Sequence, residues 1–359
     1  MIPQVTDGIS DVERELLRHH GDVDAVAGLA DFAVNVRGSA PPGWLRDRLV
    51  AAVDSLGSYP SVAMDAAARR ALARRHGRSP DEVLPLAGAA EGFALLPGLH
   101  SRSAAVVHPG FTEPEVALRD AGVPVHRVLL AEPDGYALRA EPVPEDADLV
   151  VIGNPTNPTS VLHRRSALEA LVRPGRVVVV DEAFADAVPG EPESLAGQAL
   201  PGVLVLRSLT KTWALAGLRA GYALGEPETL RRLACGRPQW PVSSLALEAM
   251  VACSEPAAVS EAAAVAAETV AHTAELADAL SGIPGVQVRT PCAAPFLLLR
   301  VPDGQFVRES LRHQGIAVRR GDTFPGLTAD HIRVAVRPPE QAAVLVNAMR
   351  VALGARVPT

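Results

Sequence analysis

Five apolar runs between residues 103 and 224 constrain the fold of this chain more than any other feature. None of them alternates with polar residues, and helix-like stretches such as Glu113–Ala121 and Ser166–Val172 lie between them. Continuous apolar runs of this length are typical of strands buried on both faces of a sheet. Strands that alternate with helices predict βαβ units and a mainly parallel sheet. The runs are Ala104–Val107, Leu149–Ile152, Val177–Val180, Val203–Leu206 and Ala220–Leu224.

A smaller unit is predicted towards the C-terminus. The alanine-rich stretch from Ser254 to Ala279 indicates a long helix that begins near Pro256. Strand-like and helix-like segments follow it, at Phe296–Val301, Phe306–His313, Ile332–Val336 and Gln341–Leu353. We therefore expect an α/β protein whose large domain has a mixed, mainly parallel sheet flanked by helices, with a smaller α+β C-terminal domain. The predicted division is an N-terminal segment over 1–45, the large domain over 46–245 and the small domain over 246–359.

Composition excludes several functional classes. The formal net charge of −7 argues against a nucleic-acid-binding surface. No apolar run reaches the ~20 residues of a membrane span, and Met1–Gln4 lacks the start of a secretion signal. The three cysteines are widely spaced and form no CxxC pair, which fits a reducing compartment and argues against a cysteine-built metal site. We expect a cytoplasmic protein without a metal centre. The cysteines are Cys235, Cys253 and Cys292.

Polar side chains follow four of the apolar runs directly: His108, Asn154, Asp181 and Ser208. Ligands of sheets of this kind bind at the carboxyl ends of the strands. The sequence therefore predicts one site assembled from several loops.

Lys211 has the clearest chemistry near that site. It follows the run that ends at Leu206, stands among hydroxyl side chains, and is followed by Arg219. A lysine that attacks a carbonyl group needs a dry surrounding that keeps its amine neutral, with anion-binding groups beside it. In isolation, a solvated loop lysine would be the ordinary interpretation, but the motifs upstream favour a reactive amine.

Four further motifs each have a structural and a functional interpretation. Asp181 can cap a helix or pair with a buried cationic nitrogen. The two Asn-Pro steps in Asn154–Ser160 form a rigid turn that can aim amide side chains. Small residues in Gly88–Phe93 open a helix whose exposed N–H groups can hold an anion. Phe111, just past a strand, can pack in the core or stack on a planar ligand.

Taken in order along the chain, these motifs resemble the fold-type-I pyridoxal-phosphate enzymes, the class I and II aminotransferase superfamily. The resemblance covers nearly the whole chain. It implies an enzyme that uses pyridoxal 5′-phosphate and forms a homodimer with shared active sites. By resemblance, Lys211 would hold the cofactor as a Schiff base and move protons, while Asp181 would pair with the ring nitrogen. Asn157 would bond the phenolic oxygen, and Phe111 would stack on the ring.

The resemblance also assigns anion-binding residues. The cofactor phosphate would be held by Ala89, Ala90, Ser208 and Arg219, and by Tyr59 of the neighbouring subunit. Arg333 matches the arginine that grips the anionic group of the substrate. With Arg319 it would hold a phosphorylated substrate, whereas we expect Arg320 and Arg337 at the surface. The other expected substrate contacts are Asn35 and His20.

Within the superfamily, the closest resemblance is to histidinol-phosphate aminotransferases and to the threonine-phosphate decarboxylases of cobalamin biosynthesis. Three features favour the decarboxylase: His20-Gly21-Asp22, Phe184 where most aminotransferases carry tyrosine, and Gln239–Ser243. The expected function is therefore threonine-phosphate decarboxylation, with an aminotransferase of the histidinol-phosphate type as the alternative. Either enzyme would act on a small phosphorylated amino acid or amino alcohol.

The sequence departs from the superfamily pattern at four places, one of which is Ser243-Ser244 in place of an asparagine-containing pair. Phe184 cannot donate a hydroxyl group, so Asn157 would act alone on the phenolic oxygen. Ser160 replaces the usual glycine, and Val36–Ser39 replaces the usual Asn-Pro-Leu-Gly. Because that last segment helps to cover the substrate, the sequence specifies the cofactor better than the substrate.

Two functions of other classes are disfavoured. A cofactor-binding regulator that reuses this fold would carry a helix-turn-helix extension and basic patches, and the sequence shows neither. A nicotinamide dehydrogenase would carry G-x-G-x-x-G after a strand, which is also missing.

Overall fold

The computed structural model describes residues 9–354 and contains two sheets. Residues 1–4, on which the expectation about a secretion signal depends, lie outside this range. The strands are β1 Ala30–Phe32, β2 Val83–Leu86, β3 Ala104–His108, β4 Val125–Leu129, β5 Leu149–Gly153, β6 Val177–Asp181, β7 Val203–Ser208, β8 Gly221–Leu224, β9 Gln287–Val288, β10 Phe296–Arg300, β11 Ile316–Arg320 and β12 His331–Ala335.

Helices cover both sheets. They are α1 Asp11–Leu17, α2 Gly21–Asp24, α3 Gly43–Val53, α4 Val62–His76, α5 Ala89–Leu95, α6 Glu113–Asp120, α7 Arg165–Glu169, α8 Pro227–Leu233, α9 Ser244–Ala252, α10 Pro256–Ser281, α11 Gly304–His313 and α12 Pro339–Gly354.

The larger sheet has seven strands in the order β2-β8-β7-β6-β5-β3-β4. Neighbours from β7 through β4 pair in parallel, and β8 runs antiparallel to both β7 and β2. The sheet is therefore mixed and mainly parallel, which confirms the predicted fold class.

Both faces of this sheet are buried, which explains the unbroken apolar runs. In β6, Val178 and Val180 belong to one core cluster and Val179 to another on the opposite side. Successive side chains of a strand point to opposite faces. A polar residue anywhere in the middle of β6 would therefore enter one of two cores.

The smaller sheet has five strands in the order β1-β11-β12-β10-β9. Its strand β1 comes from the N-terminal segment and pairs in parallel with β11, whereas the other neighbours are antiparallel. The N-terminal segment is thus part of the same sheet as the C-terminal strands. The domain boundaries at 45/46 and 245/246 stay predictions.

The long helix α10 begins at Pro256, as the sequence predicts, and runs for 26 residues. Its first half packs into the core of the large sheet through Ala258 and Ala262. Its second half packs into the core of the small sheet through Leu276 and Leu280. One helix therefore contributes to both cores.

The structure bears on three expectations from composition, which concern membrane-spanning helices, metal sites and cysteines. Within residues 9–354, no helix combines the length and apolar character that crossing a bilayer requires. Over the same range, no cluster of three or more histidine, cysteine or acidic side chains is arranged to hold a metal ion. Cys235 is exposed, Cys253 is buried and Cys292 lies between these extremes, all as free thiols.

Candidate active site

Lys211 lies in the loop after β7 as a half-buried residue, and four charged side chains influence its amine. Burial is the main reason that the pKa of Lys211 falls to about 8. The positive charges of Arg333 and Arg219 lower it further, and Asp181 and Asp22 oppose them. With a pKa near 8, about a tenth of the amine is neutral at pH 7. A lowered pKa is compatible with a reactive amine, and the catalytic role of Lys211 stays a prediction.

Asp181 ends β6 and is half-buried. Its Oδ1 accepts a hydrogen bond of 3.1 Å from the backbone N–H of Ala183. Burial raises the pKa of Asp181 to about 6, although the Ala183 N–H and the charge of Lys211 act in the opposite direction. A carboxylate in such a place favours a cationic partner. Asp181 and Lys211 thus influence each other's ionisation within one site.

A tight cradle forms where β8 meets the start of α5. Gly88, which precedes α5, has φ +81°, and Ala89 is the first helical residue. A Cβ at Gly221 would stand 2.7 Å from the backbone nitrogen of Ala89, so only glycine fits there. A Cβ at Gly88 would stand 2.7 Å from Nη2 of Arg219. The Arg219 guanidinium therefore lies against the start of α5.

Ser208 adds a hydroxyl group to this cradle. It ends β7 directly opposite Gly221 of β8, and its Oγ lies 2.7 Å from Oγ1 of Thr210. Ala90 follows Ala89 in the first turn of α5, and small side chains there keep the helix start open. The structure brings Ala89, Ser208 and Arg219 together at the start of α5, and their role in holding an anion stays a prediction.

Phe111 lies beyond β3 between two other rings. Its centroid is 5.6 Å from that of Phe93 and 5.2 Å from that of His20. His20 Nε2 is also 2.5 Å from a carboxylate oxygen of Glu113. The N-terminal His20 is therefore held over Phe111. Its partner Glu113 was not predicted, because no motif marks this residue.

Arg333 and Asn157 are directly bonded. Nη1 of Arg333 donates to Oδ1 of Asn157 at 2.6 Å, and Nη2 donates to the carbonyl oxygen of Ala33. Arg333 is 5% exposed, and burial lowers its pKa to about 9. Since Oδ1 of Asn157 accepts from Arg333, the Asn157 amide nitrogen remains as the donor towards a ligand.

Arg319 lies directly across the β11–β12 pair from Arg333. Residues opposed in this way project from the same face of a sheet. Arg319 is 2% exposed, and its guanidinium donates to the carbonyl oxygens of His19 and Arg320. Its Nη1 is 3.8 Å from a carboxylate oxygen of Asp24. Two buried guanidinium groups therefore converge beneath the N-terminal helix α2.

Asn35 has a buried amide with no partner. The residue is 6% exposed, and neither Oδ1 nor Nδ2 has a hydrogen-bond partner in the structure. It lines a cleft of about 580 Å³ that also reaches Lys211 and Phe184. Because a buried unpaired amide is costly, this arrangement indicates a polar ligand in the cleft.

The structure shows how the fold accommodates Phe184 and Ser160, the two residues of the site that differ from the superfamily pattern. Phe184 is buried, and its ring packs edge-on against Phe296 with centroids 5.0 Å apart. Ser160 has φ +59°, a conformation that favours glycine. Its Oγ accepts backbone N–H bonds from Ala293 and Ala294, at 3.1 and 2.8 Å. These bonds compensate for the conformational cost of a serine at this position.

Two expectations about the surface differ in their outcome. Arg320 is paired with Asp322 at 2.6 Å and is partly exposed, as expected for a surface residue. The surface expectation for Arg337 is wrong, because its side chain is only 13% exposed and donates to backbone carbonyl groups. Its partners come from residues 31–36, which are distant in sequence. Tyr59 differs from the other candidates, since it is 73% exposed and its ring stacks on Trp240 at 4.1 Å.

The family comparison agrees with this geometry. The family model for aminotransferase class I and II matches residues 35–349. The chain belongs to this family of aminotransferases. It is therefore an enzyme, and its cofactor is pyridoxal 5′-phosphate.

Two relatives and one solved structure are similar to this aminotransferase. A histidinol-phosphate aminotransferase of Mycobacterium tuberculosis (strain H37Rv) is 54% identical over 339 residues, covering 94% of this chain and 92% of the relative. A threonine-phosphate decarboxylase of Salmonella typhimurium is 31% identical and covers 90% of each chain. The crystal structure of a histidinol-phosphate aminotransferase from Clostridium acetobutylicum aligns with a TM-score of 0.82 at 22% identity, covering 90% of this chain and 99% of that one.

The residues of this aminotransferase fit the cofactor. An aldehyde requires a partly neutral amine, and Lys211 has a pKa of about 8. A cationic ring nitrogen requires a dry carboxylate, which Asp181 provides. A phosphate group requires an open cradle with a cation, which Arg219 and the start of α5 provide.

Proposed function

We propose that this aminotransferase moves the amino group of histidinol phosphate, or of a closely similar phosphorylated amine, to a 2-oxo acid. The observation that carries the proposal is the 54% identity to a histidinol-phosphate aminotransferase over 94% of the chain. The threonine-phosphate decarboxylase is far less similar, at 31%. The alternative from the sequence therefore replaces decarboxylation as the preferred function.

Two of the three features that favoured decarboxylation have ordinary structural explanations. His20 packs on Phe111 and pairs with Glu113. Phe184 fills space against Phe296. Neither contact distinguishes a substrate that loses carbon dioxide from one that loses a proton.

In the proposed site, Lys211 would hold the cofactor covalently and Asp181 would pair with its protonated ring nitrogen. Ser208 and Arg219 would bind its phosphate, together with the N–H groups of Ala89 and Ala90. Asn157 would donate to its phenolic oxygen, and Phe111 would contact the ring. When bound, the cofactor withdraws electrons from a bond at the substrate Cα.

The chain's own groups then select and complete the reaction. Once the substrate amine has displaced Lys211 from the cofactor, Nζ of Lys211 would be free to take the proton from the substrate Cα. Arg333 and Arg319 bind the anionic part of the substrate, and their shared face of the sheet suits the two charges of a phosphate monoester. Asn35 and His20 make further substrate contacts.

The substrate assignment predicts that turnover requires a second substrate. With histidinol phosphate as amino donor, we expect glutamate to accumulate only when 2-oxoglutarate is present. With threonine phosphate, we expect no release of carbon dioxide. Both products can be measured on the same holoenzyme, with Lys211→Arg as the inactive control. Carbon dioxide release from threonine phosphate without a keto acid would restore the decarboxylase function.

We further propose a homodimer with shared active sites. Large apolar side chains are exposed along one stretch of chain, where Val53, Leu56 and Val62 are 47%, 48% and 88% exposed. Tyr59 and Trp240 form an exposed stacked pair beside them. Contiguous apolar surface of this kind is typical of protein–protein interfaces. A second copy would cover it and allow Tyr59 to reach the cofactor phosphate of its neighbour.

Mixed dimers test the shared site. Tyr59→Ala and Lys211→Ala should each inactivate the enzyme when cofactor is limiting. Co-expressed in equal amounts, the two variants should recover about a quarter of wild-type activity, because half of the dimers would carry one intact site. Activity of the mixture that only equals the sum of the two parents would contradict a site shared between subunits.

A further inference from the structure

The segment over residues 31–36 connects the small sheet to the catalytic loop. It continues from β1, which pairs with β11. At its far end, the backbone N–H of Arg37 donates to the carbonyl oxygen of Lys211 at 3.0 Å. Asn35, with its partnerless amide, lies within it. Any shift of this segment therefore moves Asn35 relative to Lys211.

Arg337 holds this segment at three points. Its Nε donates to the carbonyl oxygen of Asp31 at 2.9 Å, Nη2 to that of Val34 at 2.7 Å, and Nη1 to that of Val36 at 2.7 Å. The backbone on both sides of Asn35 is thus bonded to a single guanidinium group. Arg337 also lines the same cleft as Asn35 and Lys211.

The geometry requires an arginine. A guanidinium group presents five N–H donors in a rigid plane, so it can reach three separate acceptors at once. Lysine and glutamine lack that fork. Because the Arg337 side chain is 13% exposed, water has little access to replace its bonds.

We propose that Arg337 is a positioning residue, which fixes the Asn35 amide in the cleft beside Lys211 so that Asn35 can bind the substrate. The inference rests on the proposed function, since Asn35 is a substrate contact only there. Arg337 would control the contact between Asn35 and the substrate without itself touching the substrate.

A double-mutant cycle tests whether Arg337 acts through Asn35. We expect Arg337→Gln and Asn35→Ala each to raise KM for histidinol phosphate about tenfold, as loss of one hydrogen bond does, with kcat within about twofold. The KM of the double variant should exceed that of the more affected single variant by no more than about twofold, since the effects of coupled residues are not additive. Effects that multiply in the double variant would overturn the proposal.

Arg320→Gln serves as the matched control. It removes a guanidinium group of the small sheet that pairs with Asp322 and makes no bond to residues 31–36, so KM should stay unchanged. Arg337→Met is the second variant, because it keeps an unbranched stem without donors. Failure of both Arg337 variants to fold as holoenzyme would also overturn the proposal in favour of a purely structural role.

Hydrogen exchange separates this inference from the substrate assignment. In wild-type holoenzyme, the amides of residues 31–37 should exchange slowly, and Arg337→Gln should speed them at least about tenfold while distant helices are unaffected. This result does not depend on the substrate. If histidinol phosphate is not a substrate but hydrogen exchange responds as expected, the result supports the positioning role of Arg337 and contradicts the proposed function. If amide exchange of residues 31–37 is unchanged in Arg337→Gln, the positioning role of Arg337 is overturned.

Discussion

Replacing Lys211 with alanine should abolish covalent attachment of the cofactor and lower kcat by about 10³-fold or more, the range for loss of a catalytic proton-transfer group. The visible absorbance of the holoenzyme should change, because the chromophore depends on the link to the amine. Borohydride treatment followed by intact-mass measurement gives a direct readout. Lys211 is the only lysine among the 359 residues, so a trapped adduct on a lysine side chain can have only one location.

Lys211→Arg is the matched control for this change. It keeps a positive charge near Asp181 but supplies no reactive amine, since arginine stays protonated. We expect it to bind cofactor without a covalent link. Trapping of the cofactor on a side chain of either variant would contradict the role of Lys211.

The depressed pKa of Lys211 adds a pH dependence. Attack on an aldehyde requires the neutral amine, and burial lowers the pKa to about 8. The rate at which cofactor-free enzyme combines with pyridoxal phosphate should therefore rise as the pH increases towards 8 and level off above it. An ordinary exposed lysine would continue to gain reactivity until about pH 10. A stopped-flow pH series distinguishes the two.

Asp181→Asn has the second largest expected effect. Removing one partner of a buried ionic pair costs about 3 kcal/mol or more, which corresponds to more than a hundredfold in rate. The loss should fall on kcat, because the carboxylate stabilises the cationic ring while electrons are withdrawn. Steady-state kinetics with saturating cofactor measures it, and Asp181→Glu, which keeps the charge, should lose less.

The raised pKa of Asp181 predicts weaker cofactor binding in acid. In the cofactor-free enzyme the carboxyl group has a pKa of about 6, so it takes up a proton as the pH falls through that value. The negative charge that attracts the ring nitrogen is then lost. Cofactor affinity should decline below about pH 6 in the wild type, and this decline should be absent in Asp181→Asn. The same decline in both proteins would assign it to another group.

In the larger sheet, the sequence predicted the central strands and missed the two edge strands. Runs such as Val177–Val180 are apolar throughout because both faces of β6 are buried. The edge strand β4, Val125–Leu129, includes exposed and half-buried positions among its residues. The other edge strand, β2, contains Pro85, which removes a backbone donor. An edge strand needs neither full burial nor every donor, so its signal is weak.

In the candidate site, too, some residues could be predicted from the sequence and others could not. Lys211 and Asp181 were predictable because each stands at the end of a buried run with few possible roles. Arg337 was not, since its partners are backbone carbonyl groups some 300 residues earlier in the chain, and carbonyl groups carry no sequence signature. The choice between aminotransferase and decarboxylase was also beyond the sequence motifs, because both chemistries use the same cofactor contacts.

Helix α10 sets where the two sheets can shift against each other. Its buried side chains are alanines over the first half, at residues 258, 262 and 266, and include the larger Leu276 and Leu280 over the second half. Short side chains interlock shallowly with their neighbours, whereas leucines fill deep recesses that resist sliding. Shear during a catalytic cycle should therefore concentrate along the alanine half, with the leucine half carried as a fixed part of the small sheet.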